Sequence, residues 1–280
     1  MNAPAVTTDH AWLPRATCDS SCVGVAPASS RLVVVLRVTL RVMLVVLLLL
    51  GAPMALVPWR GQMRVRQFYC RMVLRVFGVR ISVSGAPIRN LRGVLVVGPH
   101  MSWLDVFSIG AVLPGWYVAR ADMFGELTQR LLKIIPIERS SLRQLPAVVE
   151  TVADRLRGGE TVVAFPEGTT WCGVACGSFY PAMFQAAIDA GRPVQPLRLT
   201  YHHVDGLIST APAFVGDDTL AAAMRRLITQ RRTLAHVHVE SLQLPGADRR
   251  GLARRCQSAV GVGVGRRPGQ RSDRGHVLAA

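Results

Sequence analysis

The chain has 280 residues, half of them apolar, which suits one large folded domain or one domain with appendages. Its formal net charge is +16, carried almost entirely by arginine, and such a charge draws a protein to anionic lipid or to nucleic acid. Between Ser20 and Leu104 there is no Asp or Glu, and arginines surround the apolar run from Val42 to Leu50. A nucleic-acid-binding protein has no use for such a run, so we expect an anionic membrane surface as partner and no nucleic acid.

Residues 1–30 are rich in Ala, Pro, Ser and Thr and show no periodicity, which predicts a disordered tail. The six cysteines include two pairs of equal spacing, Cys18 with Cys22 and Cys172 with Cys176. Because no histidine cluster completes a zinc set, we predict no metal site and free, mostly structural thiols in a reducing compartment.

Residues 31–80 are predicted to form membrane-anchor helices. The uncharged stretch from Val42 to Trp59 is near the lower limit for crossing a bilayer, so it either spans the membrane or dips into one leaflet. Arginines lie on both sides of it, which fits a shallow anchor better than a span. The following segment, Gln62 to Val79, has apolar residues at helical spacing. We interpret it as a basic amphipathic helix on the membrane, with a surface helix of the folded domain as the alternative.

From residue 81 to residue 245, short apolar runs alternate with helical patterns. Strands are predicted at Ile81–Ser84, Val94–Val97, Trp116–Ala119, Ile134–Ile137, Thr161–Phe165, Val194–Thr200 and Leu234–Glu240. Helices are predicted at Trp103–Val112, Leu142–Leu156, Pro181–Ala190 and from Thr219 to about Arg231, the last capped by Asp217. This alternation predicts an α/β domain with a mainly parallel sheet flanked by helices. Residues 246–280 are rich in Arg and Gly and are predicted to form a basic, disordered tail.

Two motifs directly follow predicted strands, where the chemistry of a parallel sheet is expected. His100 comes after Val94–Val97, and Asp105 lies about one helical turn further on. A histidine with a carboxylate partner can remove the proton from an alcohol. The run Phe165–Thr169, Phe-Pro-Glu-Gly-Thr, follows the strand that ends at Phe165.

Four blocks occur in order: His-Met-Ser-Trp-Leu-Asp from His100, Lys-Ile-Ile-Pro-Ile-Glu-Arg from Lys133, Phe-Pro-Glu-Gly-Thr from Phe165, and Val-Gln-Pro-Leu from Val194. The set resembles the glycerolipid acyltransferase family, specifically the 1-acylglycerol-3-phosphate and lysophospholipid acyltransferases. The resemblance covers about Leu91 to Thr200, and its first and third blocks are the most specific. It implies that residues 81–245 form an acyltransferase domain.

The resemblance implies roles for named residues. His100 would be the general base, and Asp105 its partner. Arg139 would bind the acceptor's phosphate, assisted by Lys133. Glu167, Gly168 and Thr169 would bind the acceptor, with Glu167 on a glycerol hydroxyl and Gly168 leaving room for close approach.

The expected reaction is O-acyl transfer from acyl-CoA or acyl carrier protein to lysophosphatidic acid, giving phosphatidic acid, at the cytoplasmic face of the cell membrane. No cofactor is expected besides the thioester donor. One alternative keeps the chemistry with another acceptor, a lysophospholipid or a lyso-ornithine lipid. A remoter alternative is a non-catalytic basic protein that binds membranes or nucleic acid.

Overall fold

The computed structural model describes residues 13–24, 30–56, 62–85, 92–120, 129, 133–138 and 142–261. Its helices are α1 (Arg31–Leu56), α2 (Gln62–Val76), α3 (Leu104–Gly110), α4 (Leu145–Arg157), α5 (Ala182–Asp189), α6 (Leu220–Thr229) and α7 (Arg249–Ala259). Its strands are β1 (Val79–Gly85), β2 (Leu95–Val97), β3 (Trp116–Arg120), β4 (Ile134–Ile137), β5 (Val162–Ala164), β6 (Val194–His202) and β7 (Thr233–Val239).

The strands form one sheet in the order β1-β7-β6-β2-β5-β3-β4. Among the described residues every neighbouring pair is parallel except β6 with β7, which is antiparallel. The central strand β2 is apolar at all three positions and completely buried, as expected for a strand covered on both faces. The predicted α/β fold with a mainly parallel sheet is therefore confirmed.

Helices cover both faces of the sheet because successive strand residues point to opposite sides. Val96 of β2 packs in a core with Leu74 of α2, Leu104 of α3 and Leu227 of α6. On the other face, Leu95 and Val97 pack in a second core with residues of α4, α5 and α7, among them Leu156, Phe184 and Leu252. The carboxyl ends of β2 and β5 emerge side by side between these two layers, since Val97 pairs with Ala164.

Helix α1 is long and apolar enough, from Arg31 to Gly51, to cross a membrane. Its arginines, which interrupt the apolar sequence, hold it against the domain. Arg41 is 8% exposed, and its guanidinium donates hydrogen bonds of 2.7–2.9 Å to the backbone carbonyls of Leu227, Ile228, Gln230 and Arg231. These carbonyls belong to the last turn of α6 and the residues after it, where the helix runs out of its own N–H donors, so the Arg41 side chain caps the end of α6.

Between Leu32 and Leu50, most of the remaining surface of α1 is apolar and exposed. The exposed large side chains are Leu32, Val33, Val35, Leu36, Leu40, Val42, Met43, Leu44, Val46, Leu47, Leu49 and Leu50. The opposite face contacts the domain, where Val45 and Leu48 pack against the core. Contact with the domain thus extends along much of the helix on one side, and apolar surface faces outward on the other.

Three segments of the chain differ between the prediction and the structure. Helix α2 is part of the domain rather than only a membrane helix, because Val73, Leu74 and Val76 are buried. The predicted tail at 246–280 contains α7, which is capped by Asp248 and buries Leu252 and other apolar residues. Within the predicted tail at 1–30, residues 13–24 form an ordered segment that packs on the domain. Short helices with few large apolar residues are hard to predict from the sequence when they are buried against strands that are distant in the chain.

The cap of α6 also differs from the prediction. Thr219 rather than Asp217 occupies the position before the helix, and its hydroxyl accepts the N–H of Ala222 at 3.2 Å. Both residue types are good N-caps, so spacing alone did not distinguish them.

Candidate active site

The first motif forms a close pair at the carboxyl end of β2. After Val97 the chain runs without regular structure to Trp103, and helix α3 begins at Leu104. This turn brings the His100 ring back over the first turn of α3, where Nδ1 lies 2.8 Å from Oδ2 of Asp105. The predicted partnership of His100 with Asp105 is present in the structure.

The Asp105 carboxylate is fully buried and surrounded by hydrogen-bond donors. Besides the His100 ring, Oδ2 accepts the backbone N–H groups of Met101 at 2.7 Å and Ser102 at 2.9 Å. The other oxygen, Oδ1, accepts the phenol of Tyr201 at 2.8 Å. A buried carboxylate with this many donors is stabilised as the anion and held in one orientation.

These contacts decide the proton arrangement on His100. An ionised carboxylate only accepts hydrogen bonds, so Nδ1 carries the proton that it donates to Asp105. In the described part of the chain no group is hydrogen-bonded to Nε2, which therefore presents its lone pair outward. The ring is stacked on Phe165, with 4.1 Å between ring centroids, and is 16% exposed. The imidazole is thus held by Asp105 and Phe165, with Nε2 available to a substrate.

The second motif meets the first through Glu167. Its Oε2 accepts the backbone N–H of His100 at 2.7 Å, and its Oε1 accepts the N–H of Gly177 at 2.8 Å. The side chain is 2% exposed. We predicted that Glu167 binds an acceptor hydroxyl, but both oxygens face backbone donors inside the protein. The structure makes it a clamp between the His100 turn and the loop that contains Gly177.

Burial dominates the electrostatics of this clamp. Desolvation raises the pKa of Glu167 from 4.5 to about 7, against the two backbone hydrogen bonds, which lower it. The charge of Asp105 raises it further. Glu167 is therefore a buried carboxyl that changes protonation near neutral pH while it touches the backbone of the base.

Gly168 and Thr169 follow in the same turn, and both are partly exposed. Gly168 has φ +70°, a conformation that favours glycine, and a Cβ built on it would lie 2.6 Å from Cγ of Pro14. The space predicted for a close substrate approach at Gly168 is thus filled by the N-terminal segment. Thr169, beside it, remains a predicted acceptor contact.

Lys133 lies apart from His100 in the sheet. It lies at the amino end of β4, level with Leu95 at the start of β2, whereas His100 lies beyond the carboxyl end of β2. Two strands, β5 and β3, lie between β2 and β4. Nζ of Lys133 lies 5.5 Å from the centre of the Trp116 ring. The predicted assistance of Lys133 to a phosphate stays a prediction from the resemblance.

Arg139 lies outside the described residues. The strand before it, β4, ends at Ile137 on the same edge of the sheet as His100. Its role as a phosphate ligand stays a prediction from the resemblance.

Two features near the site were not predicted. Tyr201 is 1% exposed and contacts Asp105 from β6, just beyond the fourth block. The cysteine pairs also converge, because the Sγ atoms of Cys18, Cys22 and Cys172 all lie within 4.8 Å of one another. Burial raises the pKa of the Cys18 thiol well above its usual value, which argues against a nucleophilic role for that thiol.

Comparison with known proteins agrees with this geometry. Residues 80–200 match the family model described as Acyltransferase. The chain is 29% identical over 203 residues to a lyso-ornithine lipid O-acyltransferase of Pseudomonas aeruginosa, covering 70% of this chain and 77% of that protein. It is 30% identical over 172 residues to a 1-acyl-sn-glycerol-3-phosphate acyltransferase of Neisseria meningitidis serogroup B, covering 60% of this chain and 67% of that protein.

The fold is also similar to a solved structure. The crystal structure of the 1-acyl-sn-glycerophosphate acyltransferase of Thermotoga maritima aligns with a TM-score of 0.57 at 16% identity, covering 84% of this chain and 97% of that one. The fold, the paired His100 and Asp105, and the sequence similarity together show that this chain is an acyltransferase that belongs to the family of the 1-acylglycerol-3-phosphate and lysolipid acyltransferases.

Proposed function

We propose that the enzyme transfers a fatty acyl group from a thioester, acyl-CoA or acyl carrier protein, to the free hydroxyl of lysophosphatidic acid. The products are phosphatidic acid and the free thiol. The observation that carries the proposal is the hydrogen bond from Nδ1 of His100 to the buried Asp105, which leaves Nε2 as a base at an accessible position.

The geometry supports a single-displacement mechanism. Nε2 of His100 removes the hydroxyl proton as the acceptor oxygen attacks the thioester carbonyl carbon, and a C–O bond forms. Asp105 stabilises the imidazolium, as the carboxylate does in the serine hydrolase triad. The C–S bond then breaks, and the imidazolium returns its proton to the leaving thiolate. The lipid supplies the hydroxyl, so this route needs no enzyme nucleophile and no cofactor besides the donor.

The phosphate of the acceptor needs a cationic partner on the same edge of the sheet. In the sequence Arg139 comes two residues after Ile137, where β4 ends on that edge, and a guanidinium binds phosphate oxygens through paired hydrogen bonds. We therefore keep Arg139 as the proposed phosphate ligand.

The comparisons also support a second candidate acceptor. The relatives named lyso-ornithine lipid O-acyltransferase, from Pseudomonas aeruginosa and Rhodobacter capsulatus, cover 70% and 71% of this chain, against 60% for the Neisseria meningitidis enzyme. Lyso-ornithine lipid is thus the alternative acceptor. It offers a hydroxyl to the same base but no phosphate to Arg139.

We propose that the enzyme lies at the cytoplasmic face of the cell membrane. One side of α1 contacts the domain through Arg41 and Leu48, while its outward side is apolar along most of its length. A helix attached in this way buries its outer face in one leaflet, beside the bilayer surface where both lipid substrates lie.

The test is thiol release from acyl-CoA and from acyl carrier protein, measured with the full-length protein in detergent micelles. The acceptors are lysophosphatidic acid, lyso-ornithine lipid and an uncharged monoacylglycerol, with a His100→Ala variant as the control. We expect transfer to lysophosphatidic acid that the variant lacks. Transfer to lyso-ornithine lipid alone would show that this lipid, and not lysophosphatidic acid, is the acceptor. Equal thiol release by the His100→Ala variant would overturn the mechanism.

A further inference from the structure

Three thiols from two distant segments of the chain converge beside the active site. Cys18 and Cys22 belong to the N-terminal segment, and Cys172 lies in the loop after Glu167. All three Sγ atoms lie within 4.8 Å of one another. Cys18 and Cys172 are buried, and Cys22 is half-buried.

The backbone around the cluster is arranged in tight turns that aim the sulfur atoms inward. Between Cys18 and Cys22 the chain makes a 3₁₀ turn, Ser20–Cys22, whose first residues are capped by the Asp19 side chain. In the other loop, the backbone N–H of Ala175 donates to Sγ of Cys172 at 3.3 Å. This hydrogen bond fixes the position of the Cys172 sulfur within the loop.

We propose that Cys18, Cys22 and Cys172 bind a thiophilic divalent cation, with Zn²⁺ as the ion that best fits three thiolates. In a tetrahedral site with Zn–S distances of about 2.3 Å, neighbouring sulfur atoms lie about 3.8 Å apart. The three thiols therefore need to approach one another by at most about 1 Å. Binding displaces one proton from each thiol, and the fourth position is filled by solvent or by the thiol of Cys176, which follows in the same loop.

A thiolate set selects the metal by its chemistry. Zinc prefers sulfur and imidazole nitrogen, whereas Mg²⁺ and Ca²⁺ prefer oxygen. The proposed role of the ion is structural, because its ligands join the N-terminal segment to the loop after β5.

The consequence is a cross-link between the N-terminal segment and the active-site loop. In this segment Pro14 rests on Gly168, and the N–H of Gly24 donates to the Thr210 hydroxyl at 2.7 Å. Ala16, Cys22 and Val23 also pack against the core. A metal held by both segments closes a long loop of chain and fixes the segment where it covers the turn after β5.

The first experiment measures metal content. The full-length protein is produced in zinc-supplemented medium, purified without chelators, and analysed by inductively coupled plasma mass spectrometry. We expect about one zinc per chain, reduced at least tenfold in Cys18→Ser and Cys22→Ser variants. A Cys70→Ser variant, outside the cluster, is the matched control and should keep its zinc. Circular dichroism confirms that each variant is folded.

Two outcomes would overturn the proposal. One is a folded wild-type protein with free thiols and no bound zinc. The other is a disulfide among these cysteines, detected by alkylation and mass spectrometry without reductant. A Co²⁺-loaded protein gives an independent readout, because tetrahedral thiolate ligation produces sulfur-to-cobalt charge-transfer absorption, which is expected here and absent in Cys18→Ser.

The cross-link itself is tested by hydrogen exchange of residues 13–24. Removing the metal with 1,10-phenanthroline should accelerate exchange in this segment at least tenfold and leave β2 unchanged. Unchanged exchange in residues 13–24 after complete metal removal would show that the ion does not fix the segment. This readout is independent of acyl transfer, so it stands or fails separately from the proposed function.

Discussion

The phenol of Tyr201 donates a hydrogen bond of 2.8 Å to Oδ1 of Asp105, the carboxylate oxygen that His100 does not use. Burial raises the pKa of Tyr201 well above its usual value, so the phenol stays protonated and remains a donor. His100, Asp105 and Tyr201 therefore form a chain of hydrogen bonds that runs from the exposed edge of the site into the core.

Removing the hydroxyl of Tyr201 should lower kcat, although Tyr201 does not contact the substrate. In Tyr201→Phe, Asp105 loses a donor in a buried position, and we expect kcat to fall about tenfold, equivalent to about 1.4 kcal/mol. The control is Tyr117→Phe, which removes a buried phenol that donates to the backbone carbonyl of Val106. Both variants should lose similar stability in a thermal melt, and only Tyr201→Phe should lose kcat. Equal kcat values would show that Tyr201 is only structural.

The charge of Asp105 can be removed while its shape is kept. In Asp105→Asn, the amide oxygen can face the three donors around Oδ2, and the amide NH₂ can face the Tyr201 oxygen, so the fold should survive. The imidazolium formed by His100 then has no anion beside it. We expect kcat to fall by about 10²–10⁴-fold, the range of general-base assistance. Steady-state thiol release measures it, and a loss below fivefold would contradict the role given to Asp105.

Local sequence predicted the parts of the site that are close in the chain. His100 and Asp105 are one turn apart beside a buried apolar strand, so their contact follows from the strand end and the start of α3. The run from Phe165 to Thr169 also follows a strand, and the pairing of parallel strands brings it to the same edge. Both positions were predictable because each depends on one strand and the turn after it.

The features of the site that the sequence did not predict depend on contacts between distant segments. Tyr201 reaches Asp105 because β6 lies beside β2, a neighbourhood that no local pattern reveals. The resemblance assigned Glu167 to the acceptor, a role that stays a prediction, and no local pattern revealed that its Oε2 accepts the backbone N–H of His100. Cys18 and Cys172 appeared as separate pairs because their meeting depends on the path of the N-terminal segment across the folded domain.

The buried carboxyl of Glu167 should make stability depend on pH. Its pKa in the folded protein, about 7, lies above its ordinary 4.5, so the folded state binds more protons between these values. Its stabilising contribution is complete below about pH 4.5 and is lost as the pH rises through about 7, a change of up to about 3 kcal/mol. The free energy of unfolding measured against pH, relative to Glu167→Gln, should show this decline.

Glu167→Gln also tests the clamp on the base. One oxygen becomes an NH₂ group that faces a backbone N–H, so one hydrogen bond is lost and we expect about 1–3 kcal/mol of destabilisation at pH 5. The control, Glu150→Gln, changes an exposed carboxylate of α4 and should cost less than about 0.5 kcal/mol. A difference between wild type and Glu167→Gln that is constant from pH 4 to pH 8 would contradict the raised pKa.

Arg41 should be the main attachment between α1 and the domain. Arg41→Met keeps the apolar stem but removes the donors to four backbone carbonyls at the end of α6. We expect a loss of about 3 kcal/mol and a melting temperature lower by about 6–12 °C, because buried carbonyls lose a charged donor. Arg31→Met, an exposed arginine of the same helix, is the control. A melting temperature within 2 °C of wild type would exclude this attachment.

The outward face of α1 should determine membrane binding without contributing to the fold. Leu36 and Leu47 are 70% and 64% exposed, so Leu36→Asp and Leu47→Asp disturb no core contact but place a charge where lipid is expected. Leu244, 69% exposed and distant in sequence from α1, gives the matched control Leu244→Asp. In co-sedimentation with vesicles of anionic phospholipid, we expect the two α1 variants to bind at least tenfold more weakly than the control. Because an aspartate in lipid loses hydration that nothing in the bilayer replaces, equal binding by all three variants would place this face outside the membrane.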